Sequence, residues 1–217
     1  MKGCAKLIRR IRMLGLLTRS VRHEQVDYSA FERFLTWRRF RAATPFIGFE
    51  SRVCDVGFGP RAPFLHSIES RLLSGVGLDE NPGELTQGKI SALRTNITSP
   101  LPLESEQFNH VTMLVGPEHL AASQNVLAEA YRLLRPGGSL IMTWPSAYVD
   151  PILEVLTRLR LVNDELGFHR HQPRIPVLNL KQMLNDAGFG KIENGTFKFG
   201  LNNLDSCPQG RARIEHH

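Results

Sequence analysis

Two carboxylates and a pair of glycines carry the first chemical signal. Asp55 lies near the end of the apolar run Arg52-Val53-Cys54-Asp55-Val56, and the turn Gly57-Phe58-Gly59-Pro60 follows. Asp79, with Glu80 beside it, closes a second apolar run, Gly75-Val76-Gly77-Leu78. Glycines at this spacing let a backbone turn tightly and come close to a ligand. A strand that feeds such a turn and then a helix sets that ligand at the carboxyl edge of an α/β sheet. The turn reads in two ways. As G-x-G-x-x-A, ending at Ala62, it fits a dinucleotide, with Asp79 24 residues after Asp55 as a ribose acceptor. As D-x-G-x-G it fits a cationic ligand, because a carboxylate two residues before the first glycine opposes a pyrophosphate and attracts an ammonium or sulfonium. The glycines alone also suit an ordinary βα turn that binds nothing.

Other chemistry-bearing residues are more scattered. His169, Arg170, His171 and Arg174 share a polar loop, where the arginines could hold an anionic substrate group and a solvated loop is the plainer alternative. The H-x-H spacing lacks further clustered ligands, so no metal is expected. Trp144 could stack on a substrate or pack beneath a lid. Cys4, Cys54 and Cys207 are far apart and without CxxC spacing, which argues against a disulfide framework or a zinc site and suits a reducing compartment.

The elements that must position these residues alternate. The pattern predicts strands at Val53–Val56, Gly75–Leu78, Leu93–Ile97, His110–Val115 and Ser139–Thr143. It predicts helices at Ala62–Leu73, weakly at Leu85–Ser91, and at Ala122–Leu134, the last stopped by Arg135-Pro136-Gly137-Gly138. A helix over Pro151–Leu161, another over Leu178–Ala187 ending at Gly188, and an alternating stretch over Lys191–Leu201 follow. Repeated βα units of this length imply an α/β fold with a doubly wound, mostly parallel sheet. Two helices precede it, an amphipathic basic one over residues 5–18 and one from Ser29 to Ala43. The expected organisation is a helical leader and lid over 1–48, an α/β domain over 49–201 with a cap at 146–176, and a loose polar tail over 202–217.

At 217 residues, 41% apolar and 22% charged, the chain has the composition of one globular domain with added material. No apolar run is long enough to span a membrane and no secretory signal is evident. The net charge of +6 is uneven: residues 1–50 hold 11 Lys and Arg against 4 Asp and Glu, a net +7, and the remainder is net −1. The basic leader, residues 1–20 above all, could touch an anionic membrane surface, or it could be a solvated helix face. The expected setting is cytoplasmic, with peripheral membrane contact.

Five segments in order decide between the readings of the turn. They are Val53–Pro60, Gly75–Asp79, Leu101-Pro102-Leu103 with Gln107–Val111, Gly116-Pro117-Glu118-His119-Leu120, and Glu129–Leu140. Together they resemble the class I S-adenosyl-L-methionine-dependent methyltransferases, in the type-11 group that includes the ubiquinone and menaquinone methyltransferases. The resemblance covers about residues 50–145, plus Asp186-Ala187-Gly188-Phe189. It implies a Rossmann-like methyltransferase fold, S-adenosyl-L-methionine as cofactor, and methyl transfer to a small-molecule, lipid-linked or glycan-type acceptor.

By that resemblance, Asp55, Gly57, Gly59 and Pro60 would cradle the methionine part of the cofactor. Asp79 would accept from the ribose hydroxyls, with Glu80 as substitute, and Asn96 and Ile97 would face adenine. Val115 and Gly116 would line the floor near the methyl. His119 would be a general base or substrate orienter, the alternative being a helix-start histidine with local hydrogen bonds. Arg61 stands where the family has a third glycine, which leaves open a non-catalytic scaffold. A nicotinamide oxidoreductase is disfavoured by Asp55. Nucleic acid is not the expected partner, since no Asn-Pro-Pro-Tyr motif follows the fourth strand.

Overall fold

The computed structural model describes residues 30–57, 59, 62–80, 86–97, 100–114, 124–145, 177–190, 193–197 and 202–208. Helix α1 (Ala30–Ala43) comes first and ends where Thr44-Pro45 tightens the chain into a 3-10 turn, Thr44–Phe46. Strands β1 (Ser51–Val56) and β2 (Leu72–Asp79) are joined by the short helix α2 (Pro63–Ser67) and a 3-10 turn, Glu69–Arg71. Next come β3 (Thr86–Gln87), β4 (Ile90–Arg94), β5 (Phe108–Met113), α3 (Gln124–Leu133) and β6 (Leu134–Pro145). Helix α4 (Val177–Asp186) and strands β7 (Glu193–Phe197) and β8 (Asn202–Pro208) close the described chain.

The strands form one eight-stranded sheet in the order β3-β4-β2-β1-β5-β6-β8-β7. The β4-β2-β1-β5-β6 block is parallel, and β3, β8 and β7 each pair antiparallel to their neighbours. The chain winds outward from β1 to β2 and β4 on one side, then restarts at β5 on the other. The strand order therefore reverses between β1 and β5, where open α/β sheets leave a crevice at their carboxyl ends.

Alternation within the strands builds two cores. Cys54, Val56, Val76, Leu78, Val111, Met113, Leu140 and Met142 face α3 and α4 through Leu127, Ala130, Leu180 and Leu184. Val53, Ile90, Ala92, Leu114 and Ile141 face the other way, onto Ala43, Ile47, Phe64 and Leu65. Rings of Phe40 and Phe64 lie 5.2 Å apart and tie α1 to α2. Helix α4 stops as its sequence implies. Gly188 takes φ +97°, and the amides of Gly188 and Phe189 bond back to Asn185 and Leu184.

Four elements differ from the sequence expectation. The helix expected over Ala62–Leu73 is broken, because Ser67 Oγ donates back to the Phe64 carbonyl at 2.7 Å and Leu72 already joins the sheet opposite Ser51. The helix expected over Leu85–Ser91 is instead a hairpin: Gly88 adopts φ +57° and supplies the two-residue turn between β3 and β4, so β4 runs Ile90–Arg94 rather than Leu93–Ile97. Strand β6 starts at Leu134, opposite Phe108, and the Arg135–Gly138 turn is an irregularity inside it; a Cβ on Gly138 would lie 2.9 Å from the Asn109 carbonyl oxygen. The stretch from Asn202, expected as loose tail, is strand β8, paired along its length with β6 and β7. Backbone pairing on both sides holds it, and its polar sequence gives no alternation to read. The leader helix over 5–18, the cap over 146–176 and residues 209–217 lie outside the described residues.

Candidate functional site

Strand β1 delivers Asp55 to the crevice. The Asp55 side chain is 2% exposed, and it faces Thr112 on β5, its partner in the parallel register. Thr112 Oγ1 donates to Asp55 Oδ1 at 2.6 Å. Burial pushes the Asp55 carboxyl up to about 7; the Thr112 hydroxyl pulls it down, and the Asp79 charge pushes it up further. Asp55 thus exchanges its proton near neutrality, unlike an ordinary aspartate. Next to it, burial and the Asp55 charge raise the Cys54 thiol, which stays protonated as a small core residue.

Beyond β1 the backbone turns through left-handed conformations. Gly57, at φ +69°, extends the β1–β2 ladder by donating to the Leu78 carbonyl at 2.8 Å. Gly59, at φ +68°, donates to Asp79 Oδ2 at 3.0 Å. A Cβ built on Gly59 would meet nothing within 4 Å, so this side of the turn is open. Ala62 also has positive φ, 44°, with its methyl fully buried. The left-handed residue of the turn's exit is therefore Ala62. Phe58, Pro60 and Arg61 lie outside the described residues.

Asp79, at the carboxyl end of β2, is partly buried; its carbonyl accepts from the Thr95 amide at 2.9 Å, which draws the exit of β4 beside it. Glu80 follows and is exposed. Asn96 is exposed, and Ile97 packs against the core cluster that holds Leu101 and Leu103. These two leucines are pinned from α3. Arg132 donates to the carbonyls of Leu103 at 2.8 Å and Leu101 at 3.1 Å, and Glu129 accepts from the Leu101 amide at 2.7 Å. Arg132 and Glu129 also pair through two contacts of 2.7 Å each.

The structure thus brings Asp55, Gly57, Gly59, Asp79, Glu80, Asn96 and Ile97 to one sheet edge, with two carboxylates flanking a glycine turn. Trp144 lies near the end of β6, paired through its backbone with Asn203. Val115, Gly116, His119, His169, Arg170, His171 and Arg174 lie outside the described residues. Sequence reading missed Thr112. Its signal was a lone hydroxyl inside an apolar strand, and only the register between β1 and β5 shows that it meets Asp55. Among the described residues no cluster of His, Cys, Asp and Glu could hold a metal ion, and no helix is long and apolar enough to cross a membrane.

Comparison with known proteins agrees with this architecture. Residues 54–142 match a family model described as a methyltransferase domain. The ubiquinone/menaquinone biosynthesis C-methyltransferase UbiE of Neisseria gonorrhoeae is 27% identical over 198 residues, covering 76% of this chain and 77% of that protein. Among solved structures, the putative methyltransferase bound to the Trm112 activator of Haloferax volcanii superposes with a TM-score of 0.65 at 16% identity, covering 82% of this chain and 91% of that one. Phosphoethanolamine N-methyltransferase 2 of Haemonchus contortus, solved with S-adenosyl-L-methionine, gives 0.58 at 12% identity over 81% of this chain and 53% of its own. The structural likenesses show a Rossmann-like methyltransferase fold. The match over residues 54–142 and the relatives support a class I S-adenosyl-L-methionine-dependent methyltransferase of the type-11 group.

Proposed function

We propose that Asp55, Gly57, Gly59 and Pro60 hold the methionine part of the cofactor. Asp79 takes the ribose hydroxyls, with Glu80 beside it, and Asn96 and Ile97 form the adenine wall. The observation that carries this is the contact of Gly59 N–H with Asp79 Oδ2. It sets the ribose-type acceptor against Gly59, a turn residue with open space at its Cα among the described residues. The residues fit the cofactor chemically: the ammonium and sulfonium charges call for carboxylates, and two are present at this edge. S-adenosyl-L-methionine supplies an activated methyl group on a cationic sulfur. Asp55 holds positive charge in place, the glycine turn allows close approach, and Asp79 fixes the sugar so that the methyl points at the acceptor. Alignment of this kind accounts for a large share of rate in displacement chemistry.

On the acceptor side, Val115 and Gly116 floor the methyl's path. His119 orients the acceptor or takes its proton, and Trp144, Arg170 and Arg174 contact it. The acceptor is a small molecule of the lipid-linked kind, a reading supported by the UbiE name carried by the curated relatives; glycan-type acceptors are the alternative. The basic residues 1–20 would meet an anionic membrane surface from the cytoplasmic side. Calorimetry with S-adenosylhomocysteine tests the cofactor site: binding is expected, and it weakens about tenfold or more in Asp79→Ala. No binding at millimolar ligand ends this reading. Incubation of the protein and labelled cofactor with quinol, phospho-amine and sugar acceptors then selects the acceptor class.

A further inference from the structure

Among the described residues, the large apolar side chains left in water are Trp37, Phe46 and Phe49, exposed by 50%, 38% and 74%. All three fall in one short stretch, the second half of α1 and the turn that leads into β1. Arginines sit over the rings. The Arg41 guanidinium lies 5.4 Å from the Trp37 ring, one helical turn along, and that of Arg71 lies 4.9 Å from the Phe49 ring. Arg71 is fixed there by donating to the Ile47 carbonyl at 2.7 Å. Glu50 and Glu69 are the acidic residues beside the patch, Glu69 facing His66 at 3.9 Å. Phe49 and Glu50 form a tight turn, and Glu50 adopts φ +52°.

Phe46 and Phe49 precede β1, and Arg71 precedes β2, so this end of the patch lies at the amino ends of the strands; Trp37 stands further back on α1, one turn before Phe40, whose ring meets Phe64 of α2. Strand β1 is six residues long, roughly 20 Å, and its far end leads to Gly57, beside Asp79 at the end of β2. The Phe46–Phe49 turn is thus away from the cofactor edge, and nothing in the methyl-transfer chemistry uses it.

We propose that this exposed aromatic stretch, led by the Phe46–Phe49 turn with Arg71 over Phe49, docks on an anionic phospholipid surface. Aromatic rings gather where a bilayer meets water, and arginines beside them meet the phosphates. Peripheral attachment needs both an apolar and an electrostatic contribution, and the patch offers both. The charge is complementary as well, because residues 30–50 hold four arginines against two glutamates, a net +2, while residues 51–217 are net −1. A ring raised on a turn, as Phe49 is, enters a fluid interface without a matching pocket, whereas a protein partner would need one. The contact is separate from that of residues 1–20 and does not depend on the methyltransferase reading.

The test is sedimentation of the full-length protein with phosphatidylcholine vesicles, with and without phosphatidylglycerol. Binding is expected only with phosphatidylglycerol, and it weakens as salt is raised. Phe46→Ser/Phe49→Ser keeps the leader intact and should bind these vesicles about tenfold or more weakly. Arg41→Gln should lower affinity and flatten the salt dependence. Both variants should bind S-adenosylhomocysteine as the parent does, which shows that they are folded. Absence of vesicle binding by the parent overturns the proposal and leaves an acidic protein as the patch's partner. Undiminished binding by the double phenylalanine variant also overturns it, and assigns the contact to residues 1–20.

Discussion

Asp55→Asn should make the protein more stable and worse at holding its cofactor, and the two effects have one cause. Asp55 is 2% exposed, accepts one hydrogen bond from Thr112, and feels the Asp79 charge; its carboxyl is pushed up to about 7. In the unfolded chain the same group titrates near 3.9. The folded state therefore binds more protons between these values. Stability is unaffected by Asp55 below about pH 4, falls as pH rises toward 7, and stays reduced above that. Roughly three pKa units correspond to about 4 kcal/mol, an upper figure for the cost of an ionised Asp55 at pH 8.

An asparagine has nearly the same shape and can meet Thr112 without ever charging. At pH 8 the variant should gain about 2–4 kcal/mol, or roughly 5–12 °C in Tm at the usual scaling for a chain of this size. At pH 4 the two proteins should differ by less than about 1 kcal/mol. Thermal unfolding across pH 4–8, read by circular dichroism, gives the comparison. Titration with S-adenosylhomocysteine should show the opposite sign at pH 8, about tenfold or more weaker binding for Asn, since a charge facing the ammonium is gone. The parent's affinity should fall below pH 7 while the variant's stays level. A variant no more stable than its parent at pH 8 refutes the ionisation argument. Equal affinity refutes the placement of Asp55 beside the cofactor's positive charge.

Thr112→Val removes the hydroxyl that holds Asp55 ionised, so the pH midpoint for S-adenosylhomocysteine binding should rise by about one unit; an unchanged midpoint sinks the link. Gly59→Ala meets no neighbour among the described residues, so its backbone strain should lower stability by about 1 kcal/mol. A much larger loss of cofactor affinity, tenfold or more by calorimetry, would mark close ligand approach, and a stability change alone would mark an ordinary turn. Arg132→Ala strands the carbonyls of Leu101 and Leu103 and the Glu129 carboxylate, and should lower stability in urea unfolding by about 2 kcal/mol. It should also weaken cofactor binding more than Leu127→Ala, a core truncation on the same helix, because Arg132 holds the backbone of Leu101 and Leu103, which lie a few residues beyond Asn96 and Ile97.

Local signals were the ones the sequence carried plainly. The glycine turn, the alternation in β1, β2 and β5, and the stop of α4 at Gly188 depend on residues close in the chain. At Gly188 the reason is visible twice over: positive φ, and a Cβ that would strike the Tyr131 ring at 3.0 Å. What escaped depends on distant partners. Thr112 meets Asp55 from 57 residues away. Strand β8 is polar and is defined by the two strands it pairs with. Gly88 costs a helix little enough that a short propensity window could not exclude one, and only the pairing of Thr86 with Ser91 makes it a hairpin turn. The early end of α2 follows from Leu72 joining the sheet, a tertiary demand that overrides helix preference.

Several unfavourable terms meet at the glycine turn. Three left-handed residues, Gly57, Gly59 and Ala62, bracket the same turn, and the buried acid Asp55 stands just before it. Ala62 is the telling member. A non-glycine there carries a penalty on the order of 1 kcal/mol, and a glycine would remove it. The alanine methyl is fully buried with Phe64 and Leu65, so the same glycine would lose a comparable packing contribution. The turn is thus held in shape by core packing from behind, while its front beside Gly59 stays open. A turn that served folding alone would have no use for a buried carboxylate held by a single hydroxyl at its root. Strain fixed from behind, space in front and a carboxylate that titrates near neutrality together describe a seat shaped before its cationic ligand arrives.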